Sequence, residues 1–257
     1  MRVLAFTKSF GSVPVDRLAD AVAETGADGA DLVVRHNQTV APDEPAGIGA
    51  VAAALRRRGL SLPVVTTDLL TADGAAHGVL TACADAGVEL VRAGFYRYDP
   101  ARGYARCLDA ARRGLAALAD EARRCGVRMV LQIHHETIHP SAALALAVVR
   151  DLDVGIYADP GNQAKEGTEA WALHLDLLGD RLACSGVKNA QWVRGADGRW
   201  APQWCPLADG VVPWPDLLPE LAERLPAGPL SVHAHHPAPD PVAAVGADVA
   251  HLRSLLG

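Results

Sequence analysis

The chain has no paired cysteines. Its five, at 83, 107, 125, 184 and 205, are scattered and odd in number, with no C-x-x-C spacing. That excludes a thiolate zinc site or a disulfide framework and suits a reducing cytosol, so a cytoplasmic location is expected. A long apolar run is also missing. Half of the 257 residues are hydrophobic, yet the best stretch, AALALAVV at 142–149, is short. A membrane span needs ~18–20 such residues. The opening residues MRVLAFTKSFG lead directly into a strand-like pattern and do not read as a signal peptide. The net charge of −6 and the absence of a basic stripe argue against a nucleic-acid partner. Arg56, Arg57 and Arg58 fall on a helical pattern and read as a solvated face.

Two further absences bear on the fold. No linker rich in Gly, Pro or Ser divides the chain, so residues 1–257 are expected to form one domain. No G-x-G-x-x-G follows the first strand-like run, which disfavours a doubly wound dinucleotide-binding sheet. Lysine is scarce as well: Lys8, Lys165 and Lys188 are three of 24 cations. Where arginine is the default surface cation, each lysine invites a specific reason.

Short apolar runs alternate with longer amphipathic ones. Strands are expected at 2–6, 30–35, 62–67, 88–94, 127–134, 153–159, 182–188 and 229–235, with helical stretches between them, several ending in glycine. Eight such units in about 250 residues predict an α/β fold, a (β/α)8 TIM barrel. The Pro-containing stretch 193–215 reads as one long loop after the seventh strand. In such barrels the chemistry sits at the C-terminal strand ends. There the sequence places Lys8, Arg35, Arg92, Gln132 with His134, Asp159, Lys188, and His233 with His235. Period-two alternation puts Gln132 and His134 on one face, and likewise His233 and His235.

Taken in order, GADGADLVVR, VAPDEP, GLSLPVVTTD, VRAGFYRYD, VRMVLQIHHETIHPS, VGIYADPGNQAKEG, GVKNAQW, PLADGVVPW and SVHAHHP resemble the sugar phosphate isomerase/epimerase family. That family lies in the xylose isomerase-like TIM barrel superfamily, which also contains dehydratases and endonucleases. The resemblance runs from about residue 3 to the end. It implies a small-molecule, sugar-like substrate, a homodimer, and a divalent ion held by Glu, Asp, His and Glu at the strand ends, the glutamates doubling as a proton-transfer pair.

This chain departs from that pattern. The first glutamate falls on Gln132, the aspartate is retained as Asp159, the histidine falls on Gly186, and the last glutamate falls on His235. The matching lysine is Lys188, followed by Asn189 where aspartate is usual. A set of Asp159, His235, Gln132 and His134 carries less negative charge than the usual one. It shifts the implied cofactor from Mg²⁺ or Mn²⁺ toward Zn²⁺ or Fe²⁺. Gln132 cannot exchange a proton near neutral pH, so a two-carboxylate shuttle is unavailable. Histidine can replace it: His235, across the barrel, as base, Lys188 stabilising an enolate-like oxygen, and His134 beside Gln132. Lys8, Arg35, Arg92 and His233 are the candidate substrate contacts. For the arginines, the alternatives are clamping a carboxylate or phosphate and pairing with ions at the barrel mouth.

Among the remaining candidates, Glu136 is read as capping a turn or orienting a histidine. His139 and His236, beside prolines, are expected to be solvated. Trp192, Trp200, Trp204 and Trp214 either floor a sugar pocket or pack the loop. Three readings stay open: an isomerase or epimerase working by proton abstraction next to a carbonyl, a lyase on the same scaffold, and a metal-free sugar-binding protein.

Overall fold

The computed structural model describes residues 1–167 and 169–257. Ten strands occur among them: β1 (Arg2–Phe6), β2 (Gly29–Val33), β3 (Ser61–Thr66), β4 (Leu90–Arg92), β5 (Arg128–Gln132), β6 (Gly155–Ala158), β7 (Leu182–Val187), β8 (Asn189–Arg194), β9 (Trp200–Cys205) and β10 (Pro229–Val232). Eight of these close into a parallel barrel in the order β1-β10-β7-β6-β5-β4-β3-β2. Each expected strand is present, so the chain is a (β/α)8 TIM barrel.

The helices are α1 (Val15–Glu24), α2 (Ala46–Arg56), α3 (Gly74–Ala86), α4 (Tyr104–Cys125), α5 (Ala142–Val149), α6 (Pro160–Glu166), α7 (Trp171–Leu178), α8 (Trp214–Arg224) and α9 (Pro241–Leu256). Local chemistry sets their ends. In α4, Cys107, Ala111, Leu115, Leu118 and Ala122 recur every three or four residues and form the buried stripe. The helix stops at Gly126, whose φ of +85° favours glycine. Asp73, Ser141 and Asp240 accept backbone N–H groups at the starts of α3, α5 and α9. The arginines at 57 and 58 reach the carboxylates of Asp16 and Asp20 on α1, a surface arrangement as expected. Among the described residues, no helix is long and apolar enough to cross a membrane.

Period-two alternation explains the layering inside the barrel. Leu4, Val64, Leu90, Val130, Tyr157, Ala183 and Cys184 form an inner cluster separate from the main core between sheet and helices. Two residues further along the same strands stand Phe6, Thr66, Arg92, Gln132, Asp159 and Gly186. The apolar plug therefore gives way to polar residues one layer nearer the C-terminal mouth.

Two expectations need correction. Several strands end earlier than their apolar runs suggest, because ladder pairing stops before the last residues of those runs. Arg35, His134, Asp159, Lys188, His233 and His235 lie just beyond strand ends, on the connections. The segment after β7 is also more ordered than a long loop. It folds back as the antiparallel hairpin β8–β9, in register from Asn189↔Cys205 to Arg194↔Trp200. Its base is held by Asn189, whose side-chain amide donates to the Leu207 carbonyl at 2.8 Å and whose Oδ1 accepts from Val212 N at 2.9 Å.

Candidate active site at the barrel mouth

A cavity of about 550 Å³ opens at the C-terminal end of the barrel. Its wall includes every sequence-predicted site residue except Asp159, which lies beneath the floor with no exposed surface. All three lysines of this lysine-poor chain border it.

The floor is built around Asp159. Its Oδ1 accepts the Asn162 backbone N–H at 2.9 Å, so the residue is also the N-cap of α6. Its Oδ2 accepts the Gln132 side-chain amide at 2.7 Å and lies 3.0 Å from the Lys188 ammonium. Asn162 in turn donates to the Ile133 carbonyl at 2.9 Å, tying the start of α6 to the end of β5. Two glycines make room. A Cβ at Gly186 would approach Asp159 Oδ2 to 2.9 Å, and one at Gly161 would overlap the Lys188 side chain. The bare position 186, where the family resemblance expects histidine, is thus what allows the Asp159–Lys188 pair to form. Above it, Lys188 Nζ sits 4.7 Å from the centre of the Trp204 ring, delivered by β9.

A divalent ion does not fit this donor set. An ion bonded to Oδ2 would share it with the ammonium. At roughly 4 Å and an effective dielectric constant of about 20, that repulsion is on the order of 8 kcal/mol. Gln132 presents an N–H, not an oxygen, to the carboxylate. His134 and His235 line the cavity, but they do not close with Asp159 into a compact cage. Among the described residues, the His, Cys, Asp and Glu atoms that gather in a trio within 4.8 Å are those of His77, Glu121 and Cys125. These lie outside the barrel on α3 and α4, where Arg124 already pairs with Glu121.

Four histidines surround the floor. His134 is sandwiched between Phe95 and His135, with ring centroids at 3.9 and 4.3 Å. Its Nδ1 lies 2.7 Å from the His135 carbonyl. A carbonyl only accepts, so Nδ1 carries the proton and Nε2 keeps the lone pair. His233 stacks on Phe6 at 3.9 Å, and His235 meets the Phe6, Trp204 and His233 rings edge-on or tilted. Burial, and then the Lys188 charge, pull His134, His233 and His235 well below the ordinary histidine range. All three are neutral imidazoles at physiological pH.

Sequence reading missed a buried chain beneath His233. Asp31, fully buried on β2, accepts hydrogen bonds from Thr66 Oγ1 at 2.8 Å, Tyr157 OH at 2.9 Å and Ser231 Oγ at 2.9 Å. His233 Nε2 lies 2.9 Å from the same Tyr157 oxygen and 3.1 Å from Ser231 Oγ. With both hydroxyl protons directed at Asp31, His233 Nε2 is the donor. The available signal was an aspartate inside the otherwise apolar run GADLVV.

Other residues fall differently from expectation. His139 is fully buried: its Nδ1 lies 3.0 Å from the Gln132 carbonyl and its Nε2 accepts the Tyr96 N–H at 3.3 Å. The turn before Pro140 folds inward instead of into solvent. His236 is partly buried, 3.3 Å from Asp248. Glu136 has φ +59° and lies on the exposed rim near Arg97 and Lys165. Of the tryptophans, Trp204 faces the cavity and Trp214 is buried, donating to the Lys188 carbonyl at 3.3 Å. Trp192 donates to the Ala164 carbonyl at 3.0 Å, and Trp200 is exposed.

A model of the family described as xylose isomerase-like TIM barrel matches residues 19–255. No curated protein matches the sequence. Among solved structures, a xylose isomerase-like TIM barrel protein from Mycobacterium smegmatis in complex with magnesium superposes with a TM-score of 0.74 at 18% identity, covering 99% of this chain and 96% of that one. A putative xylose isomerase from Rhodospirillum rubrum gives 0.74 at 19%, covering 99% of each chain. D-psicose 3-epimerase from Clostridium cellulolyticum H10, solved with D-tagatose, gives 0.74 at 14%, covering 100% and 99%. At these identities the likeness is one of fold.

Two outcomes follow from the buried groups. Lys188→Met leaves Asp159 without its cation and is expected to destabilise the fold by on the order of 3 kcal/mol, most of it recovered in Lys188→Met/Asp159→Asn. Urea titrations of the two variants and the parent check this, and equal losses in both would contradict it. The second concerns acid. Burial lowers His139 to about 3 and His174 to about 4, so both fold neutral. Below about pH 6.5 the unfolded chain takes up protons that the folded chain refuses. Stability therefore falls as pH drops from 6.5 toward 4, at up to about 1.4 kcal/mol per pH unit for each group. His174, buried without a hydrogen-bond partner among the described residues, gives the control. His174→Leu should make the urea midpoint less dependent on pH over that range.

Proposed function

We propose, from the premise that the chain belongs to the xylose isomerase-like TIM barrel family, that it is an enzyme of proton transfer next to a carbonyl. Its substrate is polyhydroxylated and sugar-like, and the outcome is isomerisation or epimerisation. The observation that carries the reading is the Lys188 ammonium, 3.0 Å from buried Asp159 at the floor of a histidine-lined cavity.

Enolisation needs a base for the C–H proton and positive charge for the oxygen that becomes negative. Lys188 supplies the charge. Asp159, Gln132 and the start of α6 fix the ammonium in place, so little reorganisation accompanies the reaction. His235 is the base, and His134, across the mouth after β5, offers its free Nε2 as a second proton acceptor. Both are neutral, so the proton has a vacant lone pair to occupy. The imidazolium that forms stands near Lys188 and returns its proton readily to the neighbouring carbon, giving isomerisation. Epimerisation takes a proton from solvent on the opposite face, while His235 keeps the one it removed. Trp204 and Phe95 supply apolar walls that exclude water and can stack on the C–H face of a sugar. Magnesium in the structurally similar Mycobacterium smegmatis protein suggests the metal-dependent alternative. The ammonium on Asp159 favours lysine-centred electrostatics.

Solvent exchange tests this. In D₂O, a panel of ketoses and sugar acids is expected to include a compound that gains deuterium next to its carbonyl with the parent protein. Exchange should persist after EDTA dialysis and fall at least a hundredfold in Lys188→Met and in His235→Ala. Full activity of His235→Ala would remove that residue as the base. Loss on EDTA treatment with rescue by Mn²⁺ would overturn the lysine-centred reading, and an unsaturated product would assign a lyase instead.

A further inference from the structure

We propose that the substrate carries a carboxylate, and that Arg92, Arg35 and Lys8 on the β1, β2 and β4 side of the mouth hold it. This deepens the enzymic reading above and rests on it.

The first observation is charge. The cavity wall carries six cations, Lys8, Arg35, Arg92, Arg97, Lys165 and Lys188, against two carboxylates, Asp68 and Glu136. The chain as a whole is acidic, at −6. A concentration of positive charge in a cleft of an acidic molecule steers anions there.

The second observation is independent of the count. Arg92 is 1% exposed, and its Nε and Nη1 have no hydrogen-bond partner. Its Nη2 donates to the Thr67 carbonyl at 2.8 Å and stands 3.9 Å from Asp68 Oδ1, beyond hydrogen-bond reach. The Phe95 ring covers the guanidinium at 4.4 Å. Arg35 takes the same Asp68 oxygen at 2.7 Å, so the two guanidinia converge while one carboxylate serves only Arg35 directly. Arg35 Nε is also without a partner. Burial and then the Arg35 charge push Arg92 down to about 10, and Lys8 is likewise lowered by desolvation, then by Arg35 and Arg92. Three mutually repelling cations with unused donors fit an anion that arrives with the substrate.

Carboxylate is favoured over phosphate by position. Phosphate sites in these barrels are usually built by the loops after strands seven and eight, with backbone N–H groups at a helix start. Here the segment after β7 runs into the β8–β9 hairpin, and the cations stand across the mouth, Lys8 and Arg35 just beyond β1 and β2 and Arg92 at the end of β4. A sugar acid can place its carboxylate on Arg92 and its carbonyl toward Lys188.

Binding, measured without turnover, separates this inference from the reaction. Calorimetric titrations of the full chain use matched series: gluconate, glucuronate and galacturonate, the parent neutral sugars, and the corresponding 6-phosphates. At least one acid should bind tenfold or more tighter than its neutral and phosphorylated counterparts, and more weakly as salt rises. Arg92→Met should remove at least tenfold of that preference. If it does not fold by circular dichroism, Arg35→Gln and Lys8→Gln, nearer the surface, should each reduce it three- to tenfold. Equal affinity across the series, or tighter binding of the phosphates, overturns the carboxylate assignment. Acid binding with no solvent exchange would leave it standing and remove the enolisation reading.

Discussion

The Asp159–Lys188 pair is the interaction around which the mouth of the barrel is arranged. A carboxylate with no exposed surface needs its charge answered, and it is answered by an ammonium at 3.0 Å and an amide N–H at 2.7 Å. Satisfying it draws together β5 through Gln132, α6 through its cap, and β7 through the lysine just beyond it. Glycine at 161 and 186 follows from the same requirement, because side chains there would displace the lysine or the carboxylate. Burial keeps the surrounding histidines neutral, and the Lys188 charge adds to it by opposing a second positive charge nearby.

The same fold elsewhere holds magnesium, as in the Mycobacterium smegmatis protein, and a neutral ketose, as in the psicose epimerase with D-tagatose. In this chain, the residues around Asp159 set what the cavity can hold. A glutamine in place of a carboxylate removes a proton carrier, and a lysine answers the remaining negative charge from within the protein. In the proposed reaction, fixed ammonium and imidazole groups take the place of a metal, on the same barrel.

The barrel was legible because its signal is repeated eight times: alternating strands and amphipathic helices, several of them closed by glycine. The strand-end residues were legible for the same reason, since period two and chain direction place Gln132, Lys188 and Arg92 at the mouth. Partners were not. Asp31 was hidden in an apolar run, because its hydroxyl partners Thr66, Tyr157 and Ser231 come from three other strands. A histidine next to proline, as at His139, carries no sign in the sequence that its turn packs inward. Nor does the hairpin after β7 show as strands, because two short strands that pair only with each other have no apolar periodicity against the core.

Local periodicity and residue type suffice for the barrel and for the end at which polar residues such as Gln132 and His235 collect; that a two-carboxylate pair is missing there is what the family resemblance implies. Tertiary packing alone sets Lys188 against Asp159, gathers the three lysines around one cavity and buries Arg92 with donors to spare. Charge pairing and desolvation depend on distances between side chains far apart in the chain, and barrel closure sets those distances.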